Sequence, residues 1–318
     1  MPSPRTIGRA VQTVGGVEQV QTCTGTVRGD LPDPKLRFNI LFVRHDEPFP
    51  FHGHEYSELV IVLGGRSGHR TDVEDFPIGA GDVFVINRPH RHGFPNPERL
   101  ELCNLQFDPK VFFAGQRDLA TMMGFHALFD LEPRWKQSRR FRQRLRLSGP
   151  QLDRVRGLLR SIEREFRGTA EGRATAVRSL FLLLATELAR SYAEARRKSP
   201  TPVARLADAL AYARRHLAEP LRIRTLARIS QLSPSQFERA FRKAYDTTPV
   251  RKINEFRIEE AREYLQDPGR DIAAIARDTG FASPSFFSTQ FKRFTGMTPR
   301  DYRNTVCRKT ACGNGGGR

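Results

Sequence analysis

The chain has 318 residues, of which 38% are apolar, and its 53 Lys and Arg residues outnumber 35 Asp and Glu residues, which gives a formal net charge of +18. This length accommodates two domains with separate cores. No stretch approaches the roughly 18 apolar residues of a membrane span, and the N-terminus lacks the apolar core of a signal peptide. We therefore expect a cytoplasmic protein without a membrane partner. The four cysteines follow no metal-binding spacing and are expected to be free thiols.

The positive charge is concentrated in the second part of the chain. Residues 1–130 are close to neutral, whereas Lys and Arg clearly outnumber Asp and Glu after them. This asymmetry favours a polyanionic partner for the C-terminal part. An ordinary solvated basic surface is the alternative, and it is the better explanation for the Arg-rich segment 134–146 taken by itself.

The N-terminal part of the sequence is typical of a β-rich domain. Residues 1–35 are rich in Gly, Thr and Pro and predict a loose arm. Residues 36–130 begin with short runs of β-forming residues separated by turns, which predicts a sandwich or a barrel. The candidate strands are FNILFVR, ELVIVLGG, SGHRTDV, GDVFVIN and RLELCNLQF.

One of these runs, FHGHEYSELVIVLGG, contains a histidine motif. His52, His54 and Glu58 have H-x-H-x3-E spacing, and His92 follows the candidate strand GDVFVIN. Imidazole and carboxylate ligands suit Fe, Mn, Ni or Zn with open positions. The same groups can hydrogen-bond the hydroxyls of a sugar while nearby aromatic side chains cover its apolar face. Packing without any ligand is the third interpretation, and the residues alone leave all three open.

The middle of the chain predicts long helices. Apolar residues recur at helical spacing over 151–166 and again over 174–195. Such an apolar face either packs on the chain's own sheet or pairs with a second copy, so 131–198 is interpreted as a basic segment followed by a helical linker or dimerisation region. The charged, Pro-containing stretch 194–203 marks a domain boundary. The Gly-rich residues 305–318 predict a disordered tail.

The last hundred residues contain an internal duplication. LSPSQFERAFRKAYDTTP (Leu232–Pro249) recurs as ASPSFFSTQFKRFTGMTP (Ala282–Pro299), with Ser, Pro, Phe and Thr at matching positions. In each copy a short apolar helix and a turn precede a second helix, which begins with a Ser suited to the N-cap and a Pro suited to the first helical position. This order predicts two helix-turn-helix units.

Residues 203–304 resemble the DNA-binding domain of the AraC/XylS family of bacterial transcription regulators. The most specific stretch is GFASPSFFSTQFKRFTGMTPRDYR, Gly280–Arg303. The resemblance implies that the second helix of each unit enters a major groove. The residues that it places on the DNA-reading surface are Ser235, Gln236, Arg239 and Arg242 in the first copy and Ser285, Phe286, Ser288, Thr289 and Lys292 in the second.

Two positions depart from the family pattern. Thr289 stands where many relatives carry a longer basic or amide side chain, and Thr cannot form the two-pronged contact to guanine that Arg makes. We therefore expect the second unit to contribute affinity more than specificity. Gln231 occupies a turn position where Gly is usual, which predicts a backbone strain of about 1 kcal/mol.

Residues 36–130 resemble the cupin barrel and the sensor half of AraC-type regulators, with rhamnose-responsive regulators as the nearest likeness. His52, His54, Glu58 and His92 fall on the metal-ligand positions of cupins. The resemblance implies an α+β protein with an N-terminal cupin-like β-barrel, a helical linker or dimerisation segment and a C-terminal all-α double helix-turn-helix.

The resemblance also implies a function. We expect a homodimeric transcription activator that binds promoter DNA, touches RNA polymerase and senses a small effector, which is a sugar held by the four barrel residues. No catalytic residue and no cofactor are expected, and a divalent metal on those residues is the less favoured interpretation. A metal-dependent cupin enzyme acting on a sugar is the alternative from another class. A protein that binds any duplex without sequence preference is a further alternative.

Overall fold

The computed structural model describes residues 9–14, 17–22, 31, 33, 36–72, 74–135, 144–197 and 200–313. The chain divides into two compact units between Ala207 and Asp208. The first unit is built on a β-sheet with helices after it, and the second unit is helical throughout its described part. This arrangement confirms the predicted α+β class. Residues 136–143 of the basic segment lie outside the described residues.

The first unit contains a 10-stranded sheet among its described residues. The strands are β1 (Arg9–Val14), β2 (Val17–Thr22), β3 (Phe38–His45), β4 (Phe49–Gly53), β5 (Ser57–Thr71), β6 (Asp75–Gly79), β7 (Asp82–Ile86), β8 (Arg91–Phe94), β9 (Glu98–Phe107) and β10 (Leu145–Arg146). Their hydrogen-bonded order is β10-β7-β5-β9-β3-β1-β2, while β8 pairs with β4 and β5, and β6 pairs with β5. The path has two ends, so the described strands do not form the closed barrel that was expected.

The long strand β5 explains why the sheet changes direction. Its first half pairs with β7 and β9, and its second half pairs with β6 and β8. The register against β9 shifts on both sides of Gly64, and Gly65 has a φ of +67°. A Cβ atom at Gly65 would lie 2.0 Å from the carbonyl oxygen of Arg99. The two glycines therefore form a bulge within one strand, and the prediction that they separate two strands was wrong.

Both faces of the central strands are covered. Leu59, Val60, Ile61 and Val62 are consecutive in β5, and all four are fully buried. Because neighbouring side chains of a strand point to opposite faces, each face must pack against other residues. One buried cluster consists of Leu41, Val43, Phe49, Val60, Val62, Ile78, Phe84, Ile86, Phe94, Leu100 and Leu102.

Helices follow the sheet in the first unit. They are α1 (Pro109–Phe112), α2 (Arg117–Ala120), α3 (Met123–Phe125), a π-helical segment (His126–Leu131), α4 (Glu132–Trp135), α5 (Gly149–Arg167) and α6 (Arg173–Arg197). Phe181 of α6 packs on the sheet, with ring centroids 5.7 Å from Phe38 and 4.8 Å from Phe107. The apolar face of α6 is thus used within the chain. Pairing with a second copy stays a prediction.

The described part of the second unit consists of helices joined by turns. They are α7 (Pro202–Arg215), which spans the division between the units, α8 (Ile223–Ile229), α9 (Pro234–Tyr245), α10 (Pro249–Tyr264), α11 (Ile272–Asp278), α12 (Pro284–Thr295) and α13 (Pro299–Gly313). A buried cluster lies among α10, α11 and α12 and consists of Ile258, Ala261, Leu265, Ile275, Ala276, Phe281, Phe287 and Phe291. No helix in the described part of the chain is both long and apolar enough to cross a bilayer.

Both termini differ from the sequence predictions. The segment 1–35, predicted as a loose arm, contains the antiparallel pair β1 and β2, and β1 also pairs with β3. The tail predicted from residue 305 is helical up to Gly313, because α13 continues through it. Residues 314–318 lie outside the described residues.

Candidate functional site

The first helix-turn-helix unit is formed by α8 and α9. Ser233 caps α9, since its hydroxyl accepts a hydrogen bond from the Gln236 amide at 3.3 Å. The Gln236 side-chain oxygen accepts one from the Ser233 amide at 3.1 Å, which completes a capping box. Phe237 and Phe241 anchor the buried face of α9, with ring centroids 5.7 Å apart. The opposite face of α9 is therefore held at the surface.

The second unit, α11 and α12, repeats this construction. Asp271 caps α11 through the Ala274 amide at 2.9 Å, and Ser283 caps α12 through the Phe286 amide at 3.2 Å. Phe287 and Phe291 anchor the buried face, with ring centroids 5.6 Å apart. The matching caps and anchors confirm that the sequence duplication is a duplication of structure.

The two turns share a left-handed residue. Gln231 has a φ of +55° in the first turn, and Gly280 has a φ of +82° in the second. The following amides bond alike, from Leu232 to the Ala227 carbonyl and from Phe281 to the Ala276 carbonyl, both at 2.9 Å. The predicted strain at Gln231 thus has a structural basis, because a left-handed φ is unfavourable for residues that carry a Cβ atom.

The structure places the predicted DNA-reading residues on one surface of each second helix. The exposed ones are Ser235, Gln236, Arg239, Arg242, Ser285, Phe286, Thr289 and Lys292, whereas Ser288 is half-buried. The hydroxyls of Ser288 and Thr289 bond to backbone carbonyls of α12, each at 3.0 Å. Lys243 and Arg293 are also exposed, in the last turns of α9 and α12.

The N-terminal unit, residues 1–207, brings together the four predicted sensor residues. His52 lies on β4, opposite His92 on β8, and their rings are 4.4 Å apart. His54 Nε2 lies 3.5 Å from Glu58 Oε2, and His92 Nε2 lies 3.4 Å from the same oxygen. All four residues are at most 7% exposed. We call these four residues the histidine cluster.

Hydrogen bonds fix the orientation of the histidine cluster. The Nδ1 atoms of His52 and His54 contact the carbonyls of Pro50 and Tyr56 at 3.0 and 2.9 Å. His54 Nε2 and Glu58 Oε2 face each other closely enough to form an ion pair when His54 is protonated. One ligand atom from each of His54, Glu58 and His92 lies within 4.8 Å of the others. These atoms can serve as metal ligands or as partners for the hydroxyls of a small molecule.

Burial and the cluster's own charges act in opposite directions on its protonation. Burial alone would lower the pKa of His54, but the Glu58 carboxylate outweighs this effect and raises that pKa. Burial would likewise raise the pKa of Glu58, but His54 and its neighbours hold it lower. Burial lowers the pKa of His52. The attraction between Glu58 and His54 thus favours the charged form of each group.

Two further buried residues adjoin the cluster and were missed by the sequence analysis. His69 Nε2 lies 3.3 Å from His92 Nδ1, and the Gln106 amide donates to Glu58 at 3.4 Å. His69 stands in the run SGHRTDV, but only the pairing of β5 with β8 brings it beside His92. A small cleft reaches His92 from the surface and is lined by Thr71, Asp72, Ile86, His90, Arg91, His92 and Pro133.

Comparison with known proteins agrees with both halves of the structure. Residues 40–164 match the model of the AraC-like ligand binding domain, and residues 226–305 match that of a helix-turn-helix domain. The transcriptional activator RhaR of Mannheimia succiniciproducens is 22% identical over 83% of this chain and 91% of its own length. The activator RhaS of Enterobacter sp. is 29% identical over 80% of this chain and 87% of its own length. The chain belongs to the AraC family of transcription regulators.

Part of this AraC-family chain also resembles a solved structure. A regulator with an AraC-type DNA-binding domain from Chromobacterium violaceum is 29% identical over 33% of this chain and 93% of its own, with a TM-score of 0.31. The prediction of a regulator that is not an enzyme is confirmed by the family models and by the activators that match most of the chain. The cupin-enzyme alternative finds no support among them.

Proposed function

We propose that the chain is an effector-responsive transcription activator whose two helix-turn-helix units bind one promoter site together. The observation that carries this proposal is the structural duplication, in which α9 and α12 are capped and anchored alike and expose their opposite faces. Two equal reading helices in one chain suit two major grooves on one side of a duplex.

The exposed side chains of α9 supply the chemistry for base recognition. Arg239 and Arg242 are exposed on α9, and a guanidinium group can donate two hydrogen bonds to the major-groove edge of guanine. Lys292 on α12 can pair with a phosphate as a point charge. The high positive charge of the whole chain adds attraction to any duplex, which strengthens binding but carries no sequence information.

Selection of binding sites tests this part of the proposal. Full-length protein would be used to select duplexes from a random pool, and the selected and scrambled duplexes would be compared over a range of salt concentrations. The proposal predicts a recurring site, bound about 10³-fold or more tightly than the scrambled duplex at physiological salt. Equal affinity for both duplexes with the same steep salt dependence would instead indicate a protein that binds DNA without sequence preference.

The histidine cluster is the proposed sensor site. Relatives that match most of the chain are named as the activators RhaR and RhaS, and we propose a sugar as the effector of this chain. Imidazole and carboxylate groups of His52, His54, Glu58 and His92 hydrogen-bond sugar hydroxyls well. Since the four side chains are buried and in mutual contact, the effector must separate them or approach through the cleft that His92 lines.

A divalent cation is the second candidate occupant of the same cluster. The convergence of ligand atoms from His54, Glu58 and His92 within 4.8 Å favours it, and two imidazoles with one carboxylate suit a transition metal. The cation would supply a fixed positive charge that holds an oxygen of the effector. In this arrangement the three side chains would hold the ion, and His52 would lie beside it.

Metal analysis and a thermal-shift screen separate the two occupants. Purified full-length protein would be assayed for metal and then melted with a panel of sugars, with and without a chelator. A ligand that binds only the folded state raises the melting temperature by mass action. A sugar-specific rise that persists with chelator supports a metal-free sugar site. A stoichiometric metal whose removal abolishes the rise supports the cation, and no rise with any sugar would contradict the sugar proposal.

The remaining partners follow from this function. We propose that the protein works as a homodimer in the bacterial cytoplasm and activates transcription by contacting RNA polymerase. Leu183 on α6 is 46% exposed, and it supports pairing of α6 with a second copy. Sedimentation of the wild type and of Leu183→Glu tests this pairing. A dimer that persists in the variant would place the dimer contact elsewhere.

A further inference from the structure

The two reading helices present different chemistry at equivalent positions. Ser233 and Ser283 cap α9 and α12 in the same way, so the residues that follow them correspond one to one. Gln236 of α9 therefore corresponds to Phe286 of α12, and Arg239 corresponds to Thr289. At these two positions α9 carries side chains suited to hydrogen bonding, whereas α12 carries an aromatic ring and a hydroxyl group.

The ring of Phe286 is fixed at the surface. Phe286 is 47% exposed although it is a large apolar side chain. Its amide bonds to the Ser283 hydroxyl at 3.2 Å, and its ring centroid lies 6.1 Å from that of buried Phe281. The first turn of α12 thus holds one edge of the ring against the core and leaves the rest to solvent. The exposed part of the ring gains no burial free energy from folding, and contact with a partner would remove it from water.

Two hydroxyl groups near Phe286, those of Ser288 and Thr289, are engaged within α12. Ser288 donates its hydroxyl hydrogen to the Pro284 carbonyl, and Thr289 donates its own to the Ser285 carbonyl. Each hydroxyl can still accept a hydrogen bond, but it has no second hydrogen to donate. Lys292 remains as a positive charge, which suits a phosphate. Ser288 and Thr289 are therefore poorly suited to reading bases by donated hydrogen bonds.

We propose that Phe286 is a specificity-determining residue that packs against the C5 methyl group of a thymine in the major groove occupied by α12. The thymine methyl is the apolar group that distinguishes this base in the major groove, and Phe is among the side chains that contact it. The inference rests on the proposed function, because it requires α12 to lie in a major groove. On this proposal the first helix-turn-helix unit reads bases through hydrogen bonds and the second reads a methyl group, so the second adds specificity to the affinity expected of it.

Replacement of thymine by deoxyuridine tests the contact, because it removes only the methyl group. Full-length protein would be titrated with a duplex selected from a random pool, and then with duplexes that carry one deoxyuridine each. We expect one thymine, or two adjacent ones, where the loss of the methyl weakens binding about three- to tenfold, the scale of one buried methyl group. Phe286→Ala should weaken binding to the thymine duplex to a similar extent and show no further loss on the deoxyuridine duplex.

Two more variants make the test specific. Gln236→Ala alters the other reading helix and should keep the full thymine preference at that position. Phe286→Gln copies the residue of the first unit onto α12 and should abolish the preference. Circular dichroism and melting curves would show that each variant folds, and the exposed position of Phe286 makes this the expected result.

The outcomes separate the inference from the function on which it rests. If a specific duplex is selected but Phe286→Ala keeps the thymine preference, or no deoxyuridine weakens binding, the inference is wrong and the proposed function stands. If Phe286→Ala leaves DNA affinity intact but lowers transcription, the ring contacts a protein and the inference is again wrong. If no duplex is selected at all, the proposed function itself fails.

Discussion

The turn position of the helix-turn-helix accepts a residue other than Gly in the first repeat, where it is Gln231, but requires Gly in the second, where it is Gly280. Its φ of +55° corresponds to the +82° of Gly280 in the second turn. A Cβ atom at Gly280 would lie 2.1 Å from the Leu217 carbonyl oxygen, so the second turn needs Gly for space as well as for backbone conformation. The first turn tolerates a side chain at the cost of strain.

Replacing Gln231 with Gly should therefore stabilise the protein. We expect the free energy of unfolding of the C-terminal unit to rise by about 1 kcal/mol, as measured by urea denaturation of the full-length chain. Gly280→Ala is the matched control and should lower it by more than that amount. A loss of stability in Gln231→Gly would show that the side chain makes contacts worth more than the strain.

His45 should make stability depend on pH. It is 2% exposed, its Nδ1 atom makes no hydrogen bond in the described structure, and burial together with nearby His52 lowers its pKa to about 4. An unfolded His has a pKa of about 6.5, so between these values the unfolded chain binds a proton that the folded chain does not. The contribution of His45 to stability is complete above pH 6.5 and is lost as the pH falls towards 4.

His45→Phe removes this titration and keeps a ring beside Phe49 and Phe94. Between pH 7 and pH 5, the wild type should lose about 1–2 kcal/mol more of its unfolding free energy than the variant does. Urea denaturation at the two pH values measures this difference. Equal losses in both proteins would show that His45 is not held neutral in the folded state.

Arg239 is the residue of α9 with which the base-reading account can be tested directly. Arg239→Ala should weaken binding to a selected duplex by about 1–3 kcal/mol and relax specificity at one position. Arg239→Lys keeps the charge but not the two-pronged donor, so it should restore non-specific affinity without restoring specificity. Footprints and affinities that are unchanged in Arg239→Ala would remove this residue from the interface.

At the scale of elements, the helix-turn-helix units could be predicted because their signals are local. Ser233 and Ser283 act as N-caps, and the prolines after them begin α9 and α12, as the sequence indicated. Each signal lies within a few residues of the element that it defines. The reading faces were predictable for the same reason, since helical spacing separates the phenylalanine anchors from the exposed residues.

The sheet could be predicted only in part, because its shape depends on distant contacts. A Gly-Gly pair is typical of a turn, but Gly64 and Gly65 form a bulge inside β5 because β9 continues to pair on both sides. The four residues of the histidine cluster were found from their spacing. His69 and Gln106 were not found, since only strand pairing brings His69 beside His92 and Gln106 beside Glu58.

The β5 bulge makes a prediction at this scale. Gly65→Ala would place a Cβ atom against the Arg99 backbone at a left-handed φ, so it should lower the free energy of unfolding by about 2 kcal/mol or more. Gly157 lies inside α5 with nothing within 4 Å of a built Cβ, and Gly157→Ala should raise stability by about 0.5–1 kcal/mol. Thermal melting of both variants measures the contrast. A fully stable Gly65→Ala would contradict the bulge.

At the scale of the whole molecule, the candidate effector site and the candidate DNA-reading surface lie in different units. The near-neutral N-terminal part contains the buried histidine cluster, and the exposed reading helices lie in the basic C-terminal part. A regulator needs a free-energy coupling between such sites, and this coupling is reciprocal, so that the effector and DNA change each other's affinity by the same factor. Glu58 is central to the cluster because two histidines face one of its oxygens.

The most direct test is DNA affinity with and without the effector found by thermal shift. Fluorescence anisotropy of the full-length protein on a selected duplex should show a change in Kd of about 5-fold or more when the effector saturates the wild type. Glu58→Gln should lose this response, while Glu55→Gln, whose side chain is 61% exposed, should keep it. An unchanged Kd in the wild type with the effector bound would contradict the account, because the two units would then be uncoupled.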